Sequence, residues 1–292
     1  MKTITFLILR IWASLPLSVL QMLGSLIGSI HHVRDSRAAQ VTTINLEMCD
    51  LPPNLRLDSL RETGKTILET PAIWLGSKDR IDSWFVDIYG EALLRDSVSG
   101  QKGVLILLPH LGNWELFNVF FRRFGTMTAL YQPPRTVTFR NLMSAVRERH
   151  GNEMVATDHS GLRRLYQVLQ EGGTAAVLPD QVPSSGHFIP FFGEYALTDE
   201  LPIRLQNKTG ARLLMLVFLR RLDGFFDVHI KDIREELYEG DKMRSLASLN
   251  KMLESVIALE PSQYQWEYKR FRERPAGAKK VYRFNKPVEF HR

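Results

Sequence analysis

The sequence predicts an α/β protein: a mixed, mostly parallel central sheet flanked by helices, preceded by an N-terminal membrane-anchoring helix. Three observations predict it. Short continuous apolar runs are bounded by glycine and proline, as in Gly103-Val-Leu-Ile-Leu-Leu-Pro109 and Thr174-Ala-Ala-Val-Leu-Pro179. Such runs mark strands buried on both faces. Segments of helical spacing alternate with them, and that alternation builds a layered sheet. Ahead of both, Ile11 to Ile30 carries no charge and is about as long as a bilayer core requires.

The N-terminal stretch is apolar but diluted by Ser14, Pro16, Ser18, Gln21, Gly24, Ser25, Gly28 and Ser29. A spanning anchor and a helix lying in the interface both fit it. A cleaved signal peptide fits less well, because the apolar run is long for one and no Ala-x-Ala site follows. His31, His32, Arg34 and Arg37 come next and suit an anionic headgroup layer. The expected organisation is a retained anchor at 1–30, a helical lead-in at 31–100 and an α/β catalytic core at 101–292, with 31–292 forming one globular domain in the cytosol.

In chain order, Ala38 to Cys49 and Leu57 to Trp74 read as helices separated by Pro52-Pro53. Leu57, Leu60, Gly64, Ile67 and Leu68 share one face of the second, which Pro71 ends or bends. After the strand at 103–109, Trp114 to Arg123 reads as a helix, Thr126 to Tyr131 as a strand and Phe139 to Arg149 as a helix. Met154 to Ala156 is a short strand, and Leu162 to Gln170 a helix ending at Gly172-Gly173. Past the strand at 174–179, Thr198 to Thr209 reads as a helix closed by Gly210. Leu213 to Arg220 and Phe225 to Ile230 then read as neighbouring strands, and Met243 to Leu259 as a helix.

With 292 residues, 44% hydrophobic and 24% charged, the chain is long enough for a sizeable core and is neither a disordered tail nor a polytopic membrane protein. The net charge of +6 favours anionic partners, but the basic residues are scattered and no nucleic-acid reader motif is present. The single cysteine, Cys49, excludes an internal disulfide and reads as a small buried residue.

The chemistry-bearing element is His110-Leu-Gly-Asn-Trp-Glu115, which begins where a buried strand ends. Active sites of layered sheets gather at such ends. Five residues along one helix would turn the two side chains about 140° apart. The spacing works if His110 lies in the turn and Glu115 in the first helical turn, with Gly112 allowing the bend and Asn113 as N-cap. Glu115 then reaches back to one imidazole nitrogen and leaves the other as a base for an alcohol. No Gly-x-Ser-x-Gly nucleophile is present, so direct attack by an acceptor hydroxyl is favoured over an acyl-enzyme. A structural histidine with a capping glutamate is the plainer alternative from spacing alone.

These residues resemble the late acyltransferases of lipid A synthesis, the lauroyl and myristoyl transferases, within the wider glycerolipid acyltransferase class. The resemblance runs from the anchor and Asn45-Leu46 through the His110–Glu115 element, Tyr131-Gln-Pro-Pro134 and Arg147-Glu-Arg149. It continues through Leu178-Pro-Asp-Gln181, Phe188-Ile-Pro-Phe-Phe-Gly193 and Ala196-Leu-Thr198 to Gln265-Trp-Glu-Tyr-Lys-Arg-Phe271. It implies His110 as general base, Glu115 as its orienting acid, an acyl carrier protein thioester as donor with no cofactor, and a phosphorylated glycolipid as acceptor. It implies an inner-membrane enzyme facing the cytoplasm. Where the family often shows Arg-Gly-Arg, this chain has Ala145-Val146-Arg147, so the carry-over holds for Arg147 alone. A glycerolipid or other glycolipid acceptor is the alternative, and a non-catalytic lipid-binding relative is a further one.

Several other residues are candidates. Arg147 and Arg149 could bind a phosphate or an oxyanion, or simply be solvated. Asp180 either orients a basic group in the site or caps a turn. Phe188, Phe191 and Phe192 are candidates for lining an acyl channel, with core packing as the alternative. Arg122-Arg123, Arg163-Arg164 and Arg220-Arg221, read singly as solvated faces, join Lys269-Arg270, Arg272, Arg274 and Lys279-Lys280 in an expected basic surface for an acidic carrier protein. The histidines His150, His159, His187 and His229 lack metal-ligand spacing, and no metal is expected.

Overall fold

A computed structural model of the chain describes residues 9–131, 151–233 and 241–284. The helices are α1 (Leu17–Val33), α2 (Arg37–Met48), α3 (Leu55–Leu75), α4 (Lys78–Asp82), α5 (Glu91–Ser99), α6 (Phe117–Phe120), α7 (His159–Gln170), α8 (Leu201–Thr209) and α9 (Lys242–Ile257). The strands are β1 (Phe85–Tyr89), β2 (Val104–Leu107), β3 (Met127–Tyr131), β4 (Glu153–Ala156), β5 (Thr174–Val177), β6 (His187–Phe191), β7 (Glu194–Thr198), β8 (Arg212–Arg220) and β9 (Phe226–Asp232).

Seven strands form one sheet in the order β1-β9-β8-β2-β5-β3-β4. Every neighbouring pair is parallel except β8 with β9, so the sheet is mixed and mostly parallel, as expected. β2 and β5 are buried along their whole length, which is why they read as unbroken apolar runs. Two apolar clusters cover the two faces. One gathers Leu105, Leu107, Leu213, Met215 and the α9 leucines; the other gathers Val104, Ile106, Leu214, Leu216 and the phenylalanines of 117–121.

Several expectations need correction. The lead-in at 31–100 is not wholly helical, since β1 adds a parallel edge strand beside β9. Pro71 does not end α3, which continues to Leu75. Trp114 to Arg123 is broken into a 3-10 turn, the single turn of α6 and a second 3-10 turn. Thr198 closes β7 instead of opening a helix, because β7 pairs antiparallel with β6 as a separate hairpin. The helix expected at 139–149 lies outside the described residues. Among the described residues no helix is long and apolar enough to cross a membrane.

The α1 and α3 helices pack antiparallel and close. A Cβ on Gly64 would stand 2.1 Å from the Gly24 carbonyl oxygen, so the backbones touch where glycine allows it. Below this contact sits a buried polar cluster. Glu69 of α3 pairs with Arg220 at the end of β8, with Nη2 to Oε2 2.6 Å and Nε to Oε1 3.0 Å, and Glu62 pairs with the same guanidinium. Gln21 of α1 donates to Glu69 at 2.8 Å. Arg220 is therefore an interior ion-pair partner, contrary to its reading as part of a solvated face.

Removing one partner of a buried ion pair strands the other charge. Glu69→Ala is expected to cost about 3 kcal/mol of folding free energy, measured by urea unfolding. A loss below about 1 kcal/mol, the range of an exposed pair, would remove the claim that this cluster holds the helical lead-in on the sheet.

Candidate active site

Parallel pairing builds the site. Leu107 of β2 is registered with Val177 of β5. Three residues beyond each strand end stand His110 and Asp180, side by side. Asp180 accepts twice from His110: the backbone N–H donates to Oδ2 at 2.8 Å and Nδ1 lies 2.8 Å from Oδ1. The carboxylate is buried and the imidazole nearly so. Burial alone would push Asp180 upward. The charge and the two hydrogen bonds of His110 outweigh it and hold this carboxyl below the usual range. An ionised Asp180 requires the proton on Nδ1 and leaves the Nε2 lone pair free to accept.

Nε2 faces the Gln181 amide nitrogen at 3.1 Å, and that same nitrogen is 3.2 Å from Gln265 Oε1. Gln265 also donates its backbone N–H to the His110 carbonyl at 3.0 Å. The Trp114 ring meets the imidazole edge-on at 4.7 Å. Burial pushes the Tyr264 hydroxyl well above its usual range, and the adjacent Asp180 charge adds to this. Burial also raises Glu267, against hydrogen bonds from Thr63 and Gln265.

The turn after His110 is fixed from below. Gly112 has φ +64°, and a Cβ there would lie 1.9 Å from the Phe218 carbonyl oxygen, so no other residue fits. Asn113 was expected as an N-cap; its side chain makes no capping bond and is buried, donating to Glu69 Oε2 at 2.7 Å. The expected Glu115–His110 pairing is also replaced. Glu115 accepts from Trp74 Nε1 at 2.9 Å, while Asp180 holds the imidazole. Both His110 and Glu115 nonetheless line the same cleft.

That cleft has a volume of about 720 Å³. Its walls come from β3 and β4, the carboxyl end of β5, α7, the 178–185 loop and the start of α8, with Met127, Leu130, Met154, Leu162 and Leu201 among the apolar contributors. Phe188, Phe191 and Phe192 do not line it. Phe191 is a core residue, with its ring 6.3 Å from those of Tyr264 and Phe271 and beneath the buried Arg270. Phe192 (φ +48°) and Gly193 (φ +84°) form the two-residue turn between β6 and β7. The Phe-Phe-Gly run thus serves a hairpin. Arg147 and Arg149 lie outside the described residues.

The expected basic surface is broken up in the same way. Arg270 is buried against the Leu197 carbonyl, Arg122 and Arg123 pair with Asp82, and Arg164 pairs with Glu153. Among the described residues no cluster of three or more metal-ligating side chains occurs. Gln181, Gln265, Trp74 and Tyr264 were not singled out as site residues by sequence. Strand adjacency is the signal that finds Asp180 and Gln181: once β2 and β5 are neighbours, the residues after each must meet.

An imidazole held by a buried carboxylate, with its other nitrogen beside a partly apolar cleft, is an arrangement whose chemistry suits the activation of a hydroxyl. The chain belongs to the bacterial lipid A biosynthesis acyltransferase family, whose model matches residues 2–273, and it is an acyl-transferring enzyme. It is 27% identical over 286 residues to the lipid A biosynthesis palmitoleoyltransferase of Escherichia coli (strain K12), covering 94% of this chain and 92% of that protein. It is 26% identical over 288 residues to the lipid A biosynthesis lauroyltransferase of the same organism, with the same coverage. A lipid A biosynthesis acyltransferase of Haemophilus influenzae is 26% identical over 281 residues, covering 91% and 89%.

The identity of the orienting acid is testable by pH. Asp180→Asn should lower kcat by on the order of 10³-fold or more, as loss of the analogous acid does in catalytic triads. It should also move the acidic limb of the kcat/KM profile to lower pH, because losing a neighbouring carboxylate disfavours the imidazolium. Glu115→Gln should leave that limb in place. The reverse pattern would return the orienting role to Glu115.

Proposed function

We propose that this enzyme transfers a fatty acyl chain from an acyl carrier protein thioester to a hydroxyl of a lipid A precursor, with His110 as general base and Asp180 as the residue that positions it. The observation that carries this reading is the bidentate His110–Asp180 pair at the rim of the cleft, in a chain of this family. The acceptor hydroxyl takes the place of the Gln181 amide at Nε2 and attacks the thioester carbonyl as Nε2 receives its proton. The new C–O bond gives a tetrahedral oxyanion. Its collapse breaks the C–S bond, and the imidazolium returns the proton to the departing thiolate. Atoms and charge balance, and no cofactor or metal enters the step.

Glu115 keeps a place at the cleft wall in this reading. Through Trp74 it fixes the rim against which the substrates settle, and the apolar residues of β3, β4 and α8 supply a dry wall for the acyl chain. The phosphorylated glycolipid acceptor and the acyl carrier protein are the partners proposed. The enzyme is proposed to be attached to the inner membrane through its N-terminal segment, with the catalytic domain on the cytoplasmic side.

The test is to incubate the purified enzyme with acyl carrier protein thioesters of several chain lengths and a tetra-acylated lipid A precursor, and to identify products by mass spectrometry. Addition of one acyl group to the glycolipid is expected. Transfer only to a lysophospholipid acceptor would shift the reading to a glycerolipid enzyme. His110→Ala should abolish transfer while its circular dichroism spectrum and membrane attachment are retained; full activity in that variant would remove the mechanism.

A further inference from the structure

We propose that α1 lies in the plane of a lipid bilayer, with its outer face sunk into the acyl-chain boundary and the tip of the β8–β9 turn inserted beside it. This inference rests on the membrane attachment proposed above and fixes its geometry. The inner face of α1 is Leu20, Gly24 and Gly28, and it is committed to α3: a Cβ on Gly24 would stand 2.5 Å from the Lys65 backbone, and one on Gly28 2.2 Å from the Leu60 carbonyl oxygen. Two residues further along a helix is 200° round its axis. There stand Met22, Leu26, Ile30 and Val33, at 63%, 56%, 42% and 81% exposure. They form one unbroken apolar stripe on the side away from the protein.

A second element joins this surface. Leu222, at the tip of the turn, is fully exposed, and Phe225 is over a third exposed. Gln21 donates to the Gly224 carbonyl at 2.7 Å, which sets the tip against the helix next to Met22. Lone exposed apolar residues are ordinary, but a stripe continued by a second element marks an interaction surface.

Charge selects a bilayer as the occupant. Residues 3–34 contain no carboxylate, and the first to follow, Asp35, is paired with Arg56. His31, Arg34 and Arg37 cluster at the far end of the stripe, where headgroup phosphates would lie. The carboxylates about the turn, Asp87, Asp223 and Asp227, all pair with Arg221. Partner charge also decides against spanning. The helix fastened along α1 carries Arg61, Glu62, Lys65 and Glu69, so threading α1 across a bilayer would either drag those charges into hydrocarbon or strip α1 from α3. Lying in the interface requires neither.

The chain is suited to a labelling experiment. Its single cysteine, Cys49, is buried, and burial pushes its thiol well above the ordinary range, so it stays silent toward maleimides. Leu26→Cys, Val33→Cys and Leu222→Cys in the full chain can each carry an environment-sensitive fluorophore. The protein is mixed with phosphatidylcholine–phosphatidylglycerol vesicles bearing spin labels at different depths. In-plane insertion predicts quenching at all three sites, strongest from the shallow quencher and at one common depth. Residues 26 and 33 at clearly different depths, with one near the bilayer centre, would overturn the in-plane geometry while leaving attachment intact. Failure to sediment with vesicles would overturn both. Labels shielded in vesicle-free protein that dimerises would assign the stripe to a second copy and overturn the inference. Replacing Met22 and Leu26 by glutamate should weaken vesicle partitioning by about tenfold for each side chain while leaving turnover of a detergent-dispersed acceptor unchanged.

Discussion

Four donors converge on the two oxygens of Glu69: the Gln21 amide of α1, the Asn113 amide of the turn after His110, and Nε and Nη2 of Arg220 from the end of β8. A carboxylate in the interior is costly unless its charge is met and its lone pairs are used. Here both conditions hold, and the groups that meet them come from parts of the chain far apart in sequence. Arg220 is secured in turn by Gln263, which exchanges two hydrogen bonds with its backbone, and by Thr66, which also reaches the Gly112 carbonyl. The lead-in helix, the end of β8, the turn after His110 and the C-terminal segment therefore share one point of attachment. The turn after His110 sits on this polar floor and does not rest on a side-chain cap of its own.

His110 is then held from two sides. The floor fixes residues 112 and 113, and the neighbouring strand supplies Asp180. Because Asp180 binds both the backbone N–H and the ring of His110, it fixes the position of the residue and the tautomer of the ring together. Gln181 faces the opposite ring nitrogen and is itself restrained by Gln265. The imidazole thus has little rotational freedom before substrate arrives. This kind of prior ordering lets a general base act without a reorganisation cost at the moment of reaction.

What the sequence revealed follows from where the information lies. The strands at 104–107, 174–177 and 212–220 were legible because burial on both faces leaves apolar residues throughout the first and, apart from Thr174, Arg212 and Arg220 at the ends, throughout the other two. The edge strand Phe-Val-Asp-Ile-Tyr at 85–89 was not, because only part of it is covered and Asp87 interrupts its pattern. The hairpin at 187–198 was hidden by Pro190 in its first strand and by a turn whose first residue is Phe192, where asparagine or glycine is usual. That His110 and Glu115 would lie close together was legible because they share a short motif, and both line one cleft. Their pairing was not correctly read, since the acid that holds His110 is 70 residues away in sequence.

That distance is spanned by sheet register, and register is a property of two strands that neither carries alone. Leu107 opposite Val177 is enough to bring the third residue past each strand together. A one-residue slip would place Pro179 or Gln181 opposite His110, and neither could take the proton of Nδ1 into a charge-assisted bond. The apolar runs of β2 and β5 thus do more than fill the core: by locking the register over four consecutive pairs they set which ring nitrogen of His110 faces a carboxylate. The base role proposed for His110 therefore depends on residues such as Val104 and Ala175, which do not line the cleft, as well as on the groups that surround its ring.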